Sequence, residues 1–250
     1  MKGKVYLVGA GPGDPGLLTL RAVEALRECD VILYDRLVDP AVLRFAGASA
    51  QAIPVGKEAG PGSGELQARI NEMMLAHALS GKMVCRLKGG DPMVFARGWE
   101  EIAFLREHGV EVEVIPGVSS ITACASSAVI PLTHRGLSSS VAVITAVDMN
   151  GRLLTDLILR NLALNGTVEI LMGARRLHEI CRALLEAGTD SSLAVAVVEK
   201  ASTPEERVIM GTLREISELD GFQSPATVIM GPTVGLAMRR EEASRSEGYL

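Results

Sequence analysis

The sequence predicts an α/β protein in two domains, and three observations predict it. Short Val/Ile-rich runs alternate with helical patterns along the whole chain, the signature of sheets with crossover helices. Hydrophobic residues make up 48% of the 250 residues but aromatics only 3%, so the core must be aliphatic. Beyond Pro116-Gly117 the alternation restarts, which places a domain junction near Gly117 and gives domains over 1–117 and 118–238, with a solvated tail over 239–250.

The first strand, Val5–Val8, enters a glycine-rich turn, Gly9-Ala-Gly-Pro-Gly-Asp-Pro-Gly16. A dinucleotide-binding turn needs glycine at its first, third and sixth positions. Gly9 and Gly11 satisfy the first two, but Asp14 occupies the sixth and would aim a carboxylate at a bound phosphate. Pro12 and Pro15 remove two main-chain N–H groups as well, so the turn is expected to hold a different ligand. A first helix follows, with an apolar stripe expected from Leu17, Leu20, Arg21, Val23, Glu24 and Leu26 and a charged opposite face.

Further strands are expected at Val31–Tyr34, Ala52–Val55, Met83–Leu87 and Val112–Ile115, with helices between them. The second domain opens with a small-residue helix, Ser119–Ala128, and an irregular Pro131–Arg135 segment. Its strands are expected near Val141–Thr145, Val168–Met172, Leu193–Val198, Val208–Met210 and Thr227–Met230. No helical pattern separates the strands around Val195 and Ile209, so this second sheet should be mixed.

A formal charge of −5 argues against a sequence-independent nucleic-acid binder, which needs a basic face. The longest weakly polar run, Ser119–Leu132, is too short to span a bilayer, so no membrane partner is expected. Cys29, Cys85, Cys124 and Cys181 are far apart and form no C-x-x-C pair; with no cleavage-type segment after Lys2 and Lys4, the expectation is a cytoplasmic protein with reduced thiols. His77, His108, His134 and His178 have no metal-ligand spacing, and no metal is expected.

Gly13-Asp14-Pro15 recurs as Gly90-Asp91-Pro92, each time after an expected strand and before an expected helix. Aspartate is a good N-cap and proline suits the first helical position, so either triplet is accounted for by starting a helix. Gly89 and Gly90 ask for more, because two glycines directly after Arg86-Leu-Lys88 let a ligand approach the main chain closely.

Together VGAGPGDPGLLTL, VILYDRLV (31–38), VGK (55–57), RLKGGDPMVFARG (86–98), PGVSS (116–120) and IPLTHR (130–135) resemble the tetrapyrrole methylases, and within them the uroporphyrinogen-III C-methyltransferases, from about Lys4 to about Gly231. The resemblance implies two α/β domains of the tetrapyrrole methylase type, an S-adenosyl-L-methionine site in the cleft between them, and a homodimer. Family cofactor positions carried onto this chain are Pro12, Gly89, Gly90, Asp91, Val94, Ser119, Ser120, Met172 and Ala201. The implied reaction methylates uroporphyrinogen III at C2 and C7 to give precorrin-2 for sirohaem or cobalamin, leaving S-adenosyl-L-homocysteine. By resemblance Asp35 is the proton acceptor and Lys57 the donor. The plainer account makes Asp35 and Arg36 a turn ion pair and Lys57 a solvated loop residue.

A polycarboxylated substrate calls for guanidinium groups, and Arg36, Arg97 and Arg135 are the candidates. Arg86 and Lys88 weigh less, since they could finish a buried strand. The family's FGRGGEE reads Phe95-Ala-Arg-Gly-Trp-Glu-Glu101 here, and its T-G-H reads Thr145-Ala146-Val147. Ala201 stands where the family has glycine, and the histidine expected after Lys57 is missing, although Gln67, Ile70 and Asn71 match. Two alternatives stay open: a methylase of a later corrin precursor, and a non-catalytic paralogue that binds cofactor or tetrapyrrole. A dehydrogenase is a distant further reading.

Overall fold

The computed structural model describes residues 3–56 and 63–239. The chain divides into two compact units, Met1–Ser120 and Ile121–Leu250. Among the described residues no helix is long and apolar enough to cross a membrane.

In the first unit, five parallel strands, β1 (Lys4–Gly9), β2 (Val31–Tyr34), β3 (Gln51–Pro54), β4 (Val84–Lys88) and β5 (Glu111–Ile115), form a sheet in the order β3-β2-β4-β1-β5. The helix α1 (Leu20–Glu28) covers one face through Ala22, Ala25 and Leu26, which pack with Tyr6, Val8, Ile32, Cys85 and Leu87. Two helices, α2 (Ser63–Leu79) and α3 (Gly98–Glu107), cover the other, bringing Ile70, Met74, Ala78 and Leu105 onto Val5, Val31, Leu33 and Val84. Each fully buried aliphatic side chain contributes about 1.5–3 kcal/mol.

The expected first helix is corrected in two respects. It begins at Leu20, capped by the Thr19 side chain, because Asp14 caps a separate 3-10 turn over Pro15–Leu17. Its buried stripe is Ala22, Ala25 and Leu26, while Leu20 is exposed. Helical periodicity cannot show which of two apolar arcs turns inward.

The second unit carries a mixed sheet of β6 (Val141–Thr145), β7 (Thr167–Leu171), β8 (Ala194–Glu199), β9 (Arg207–Thr212) and β10 (Ala226–Met230), in the order β6-β7-β10-β8-β9. Only β6 and β7 pair in parallel, and β8 and β9 form the helix-free antiparallel pair the sequence suggests. Three helices, α5 (Thr155–Ala163), α6 (Leu177–Glu186) and α7 (Leu213–Ser217), supply Ile158, Leu177, Ile180, Leu184, Leu213 and Ile216 to one face. The small-residue helix α4 (Ser120–Ser127) packs Cys124 and Ala125 on the other, against Ala196, Val198 and Ile229. The division between units falls after Ser120, where α4 begins.

Candidate functional site

In a parallel sheet every strand delivers its outgoing loop to the same edge, so the candidate residues of the first unit collect there. Asp35 and Arg36 follow β2, Gly89-Gly90-Asp91 follow β4, Pro12 follows β1, and Ser119-Ser120 follow β5. From β1 the chain turns to α1 on one face, whereas from the neighbouring β4 it turns to α3 on the other. Ligands of open α/β sheets bind in the crevice at such a reversal.

The two glycine turns meet at that crevice. Gly11 N donates to Gly90 O at 3.2 Å, and Gly90 N donates to Gly11 O at 2.7 Å. Main chain converges so closely that side chains do not fit: a Cβ on Gly9 would stand 2.5 Å from Gly117 N, and one on Gly117 would stand 2.3 Å from Gly90 O. Gly90 itself has a φ of +66°, which favours glycine, and a Cβ there would meet nothing nearer than Ser120 N at 3.8 Å.

The two aspartates of the repeated triplet have different work. Asp14 Oδ1 accepts from Gly16 N at 2.7 Å, which is the capping role. Asp91 Oδ1 accepts from Met93 N at 2.8 Å, while its Oδ2 accepts from Gly117 N at 3.1 Å and so ties the β4 loop to the β5 loop. No helix starts directly after Asp91, contrary to expectation; α3 begins at Gly98, after Phe95 and Arg97 have taken positive φ of 52° and 58°.

Behind this edge lies a buried polar cluster. Arg86 and Lys88 alternate with apolar residues on the α2/α3 side of β4, and Asp35 follows β2 on the same side. Arg86 Nη2 is 2.5 Å from Asp35 Oδ1, and Lys88 Nζ is 3.9 Å from Asp35 Oδ2. Both cations also meet Glu101 Oε1, Arg86 Nε at 3.1 Å and Lys88 Nζ at 3.0 Å, and Gln67 Nε2 donates to the same oxygen at 2.9 Å. Two cations and two carboxylates balance, as burial demands. Burial lowers the Lys88 ammonium below its ordinary range, with Arg86 adding to the effect and Glu101 opposing it. For Arg86 burial works the same way, but Glu101 and Asp35 outweigh it and raise its proton affinity.

Sequence reasoning rated Arg86 and Lys88 as weak substrate contacts, and their burial explains why they belong inside; it missed Glu101 altogether. The available signal was two cations at alternate positions of a central strand, which require buried anions. Lys57 lies outside the described residues. Arg36 is exposed beside Gly56, Arg97 pairs with Glu100 at 2.6 Å, and Arg135 is exposed in a turn closed by the His134–Ser138 bridge. Val94 N donates to Asp91 O at 3.3 Å, within the same loop. Trp99 is 63% exposed, so its bulk faces outward instead of filling the core.

In the second unit Met172 follows β7 and Ala201 follows β8. Both strands run antiparallel to β10, so both residues emerge at the edge where β10 begins. Met172 is exposed with a φ of +56°, and Ala201 is buried between Lys200 and Ser202, which also have positive φ. Among the described residues seven non-glycine residues have positive φ, and five of them lie in or beside these candidate segments. Backbone in sparsely populated regions concentrates at functional sites. Among the described residues no group of three or more His, Cys, Asp or Glu could hold a metal ion.

The model of the tetrapyrrole (corrin/porphyrin) methylases matches residues 4–217. The chain belongs to this family. It is 44% identical, with a TM-score of 0.79, to the uroporphyrin-III C-methyl transferase from Thermus thermophilus, whose structure is complexed with S-adenyl homocysteine; the match covers 94% of each chain. A cobalt precorrin-4 methyltransferase is 28% identical with a TM-score of 0.79, over 91% of this chain and 94% of that one. Siroheme synthase 1 of Halorhodospira halophila is 43% identical over 243 residues, 95% of this chain and 49% of its own length. This tetrapyrrole methylase chain thus spans about half the length of the curated relatives it matches.

Proposed function

We propose that this chain is an S-adenosyl-L-methionine-dependent C-methyltransferase that converts uroporphyrinogen III to precorrin-2. The observation that carries the reading is the side-chain-free cradle at Gly9, Gly11, Gly90 and Gly117, joined to a 44% identity with a uroporphyrin-III methyltransferase along nearly the whole chain. The lower identity to the precorrin-4 enzyme favours this substrate over a later corrin precursor.

The residues present fit the nucleoside cofactor. A Cβ on Gly90 would meet nothing nearer than Ser120 N at 3.8 Å, and main-chain groups of the β1, β4 and β5 loops crowd together beside it. Pro12, Gly89, Gly90, Asp91, Val94, Ser119 and Ser120 would hold it, and the family resemblance adds Met172 and Ala201 as candidates. When bound, the cofactor supplies an electrophilic methyl group to a carbon nucleophile. The protein's part is to hold that carbon in line and to take up the proton the macrocycle gives up. Asp35 is suited to the proton, because its carboxylate is partly exposed and fixed from behind by Arg86. Lys57 is the proposed donor, and Arg36, Arg97 and Arg135 are the proposed partners of the substrate carboxylates.

We take the enzyme to be a cytoplasmic homodimer; the family resemblance supports the dimer, and the four buried cysteines accord with a reducing compartment. Incubation with S-adenosyl-L-methionine and either uroporphyrinogen III or precorrin-2, followed by mass spectrometry, tests the reaction. Two added methyl groups on uroporphyrinogen III are expected. Cofactor binding without methylated product would favour a non-catalytic binder, and sedimentation at the mass of a single chain would overturn the dimer.

A further inference from the structure

We propose that Glu101 is a positioning residue for Asp35, anchoring Arg86 and Lys88 so that each cation presents itself to one oxygen of the Asp35 carboxylate. This rests on the reading of Asp35 as the proton acceptor. Glu101 is fully buried, whereas the Asp35 side chain retains 27% of its exposure, so substrate can reach Asp35 and not Glu101. Any influence of Glu101 on the reaction therefore passes through the residues between them.

The geometry gives that influence a direction. All three donors of the cluster, Arg86 Nε, Lys88 Nζ and Gln67 Nε2, converge on Glu101 Oε1, while Oε2 is buried with no hydrogen-bond partner. A single shared oxygen fixes both cations from one side, and Asp35 receives them on the other at Oδ1 and Oδ2. Arg86 is held further by carbonyls, its Nη1 lying 3.4 Å from Leu33 O and 3.3 Å from Leu87 O. Among the described residues the groups facing Asp35 are Arg86 and Lys88 from β4, with Glu101 of α3 and the neutral Gln67 and Asn71 of α2 behind them. Glu101 offsets one of the two buried positive charges. Without it, neither cation would be held from behind, and the two groups that face Asp35 would lose their fixed positions.

The test uses the full chain and reads the pH profile of methyl transfer beside S-adenosyl-L-homocysteine affinity and stability. In Glu101→Gln the acidic limb of the rate profile should move to lower pH while cofactor affinity holds. In Lys88→Met, which removes a cation instead, the limb should move the other way, and in the double variant it should return towards wild type. A merely structural Glu101 would lower stability without moving the profile, and that result overturns the proposal. If Glu101→Gln does not fold, Lys88→Met alone decides: an unmoved profile refutes the coupling. Asp35→Asn separates the two readings. Full activity in that variant removes Asp35 as the acceptor, whereas loss of activity there with an unmoved profile in Glu101→Gln removes only Glu101.

Discussion

Gly11 and Gly90 exchange both of their main-chain hydrogen bonds, so the two copies of the glycine-rich turn form a miniature antiparallel pair at the mouth of a parallel sheet. This bridge holds the β1 and β4 loops together at the point where the chain departs to opposite faces. It leaves the third loop, through Gly117, packed directly on Gly9 and Gly90.

Gly117→Ala should therefore be far more harmful than an ordinary loop substitution. Its Cβ would press on the Gly90 carbonyl, and overpacking of this kind costs about 1–3 kcal/mol. Chemical denaturation should show that loss, and calorimetry should show weakened S-adenosyl-L-homocysteine binding. Gly90→Ala would make only an ordinary contact, 3.8 Å from Ser120 N, and carries the left-handed backbone penalty, about 1–2 kcal/mol. Equal and negligible effects from both would refute the cradle.

Asp35→Asn should lower the rate of methyl transfer by at least about 100-fold while S-adenosyl-L-homocysteine affinity stays within about twofold, since general-base contributions are of that size. Calorimetry and single-turnover mass spectrometry check the two halves separately. A variant as fast as wild type would rule out the assigned role.

Arg36→Gln removes an exposed guanidinium at the strand edge. If it clamps a substrate carboxylate, substrate affinity should fall about tenfold, equivalent to about 1.4 kcal/mol, with little change in stability. Unchanged affinity would exclude Arg36 from the clamp.

Glu169 on β7 is fully buried, and neither carboxyl oxygen has a hydrogen-bond partner. Burial pushes its carboxyl up to about 8 from an ordinary 4.5. Below the ordinary value both folded and unfolded chains hold the proton, so stability is fully present. Between the ordinary and the raised value only the folded chain holds it, and stability falls by up to about 1.4 kcal/mol for each pH unit. Above pH 8 the loss is complete. Glu169→Gln should flatten this slope, which urea midpoints at about pH 5 and pH 9 would reveal. An unaltered slope would show that Glu169 does not govern it.

Much of the architecture was legible because strand and helix periods differ. The ten strands among the described residues lie near the places the sequence assigns them, and the missing helix between Val198 and Val208 disclosed the antiparallel pair. The start of α1 was misread because Asp14-Pro15 and Thr19 are two successive capping signals, and sequence alone does not rank them.

The sequence by itself determined the fold class and the family motifs, since these depend on local periodicity and on residue pattern. Only the tertiary structure decided that Arg86 and Lys88 turn inward to Glu101, and that Gly11, Gly90 and Gly117 lie against one another. Charge pairing and close approach are properties of residues far apart in the chain, and become definite only when the sheet brings them together.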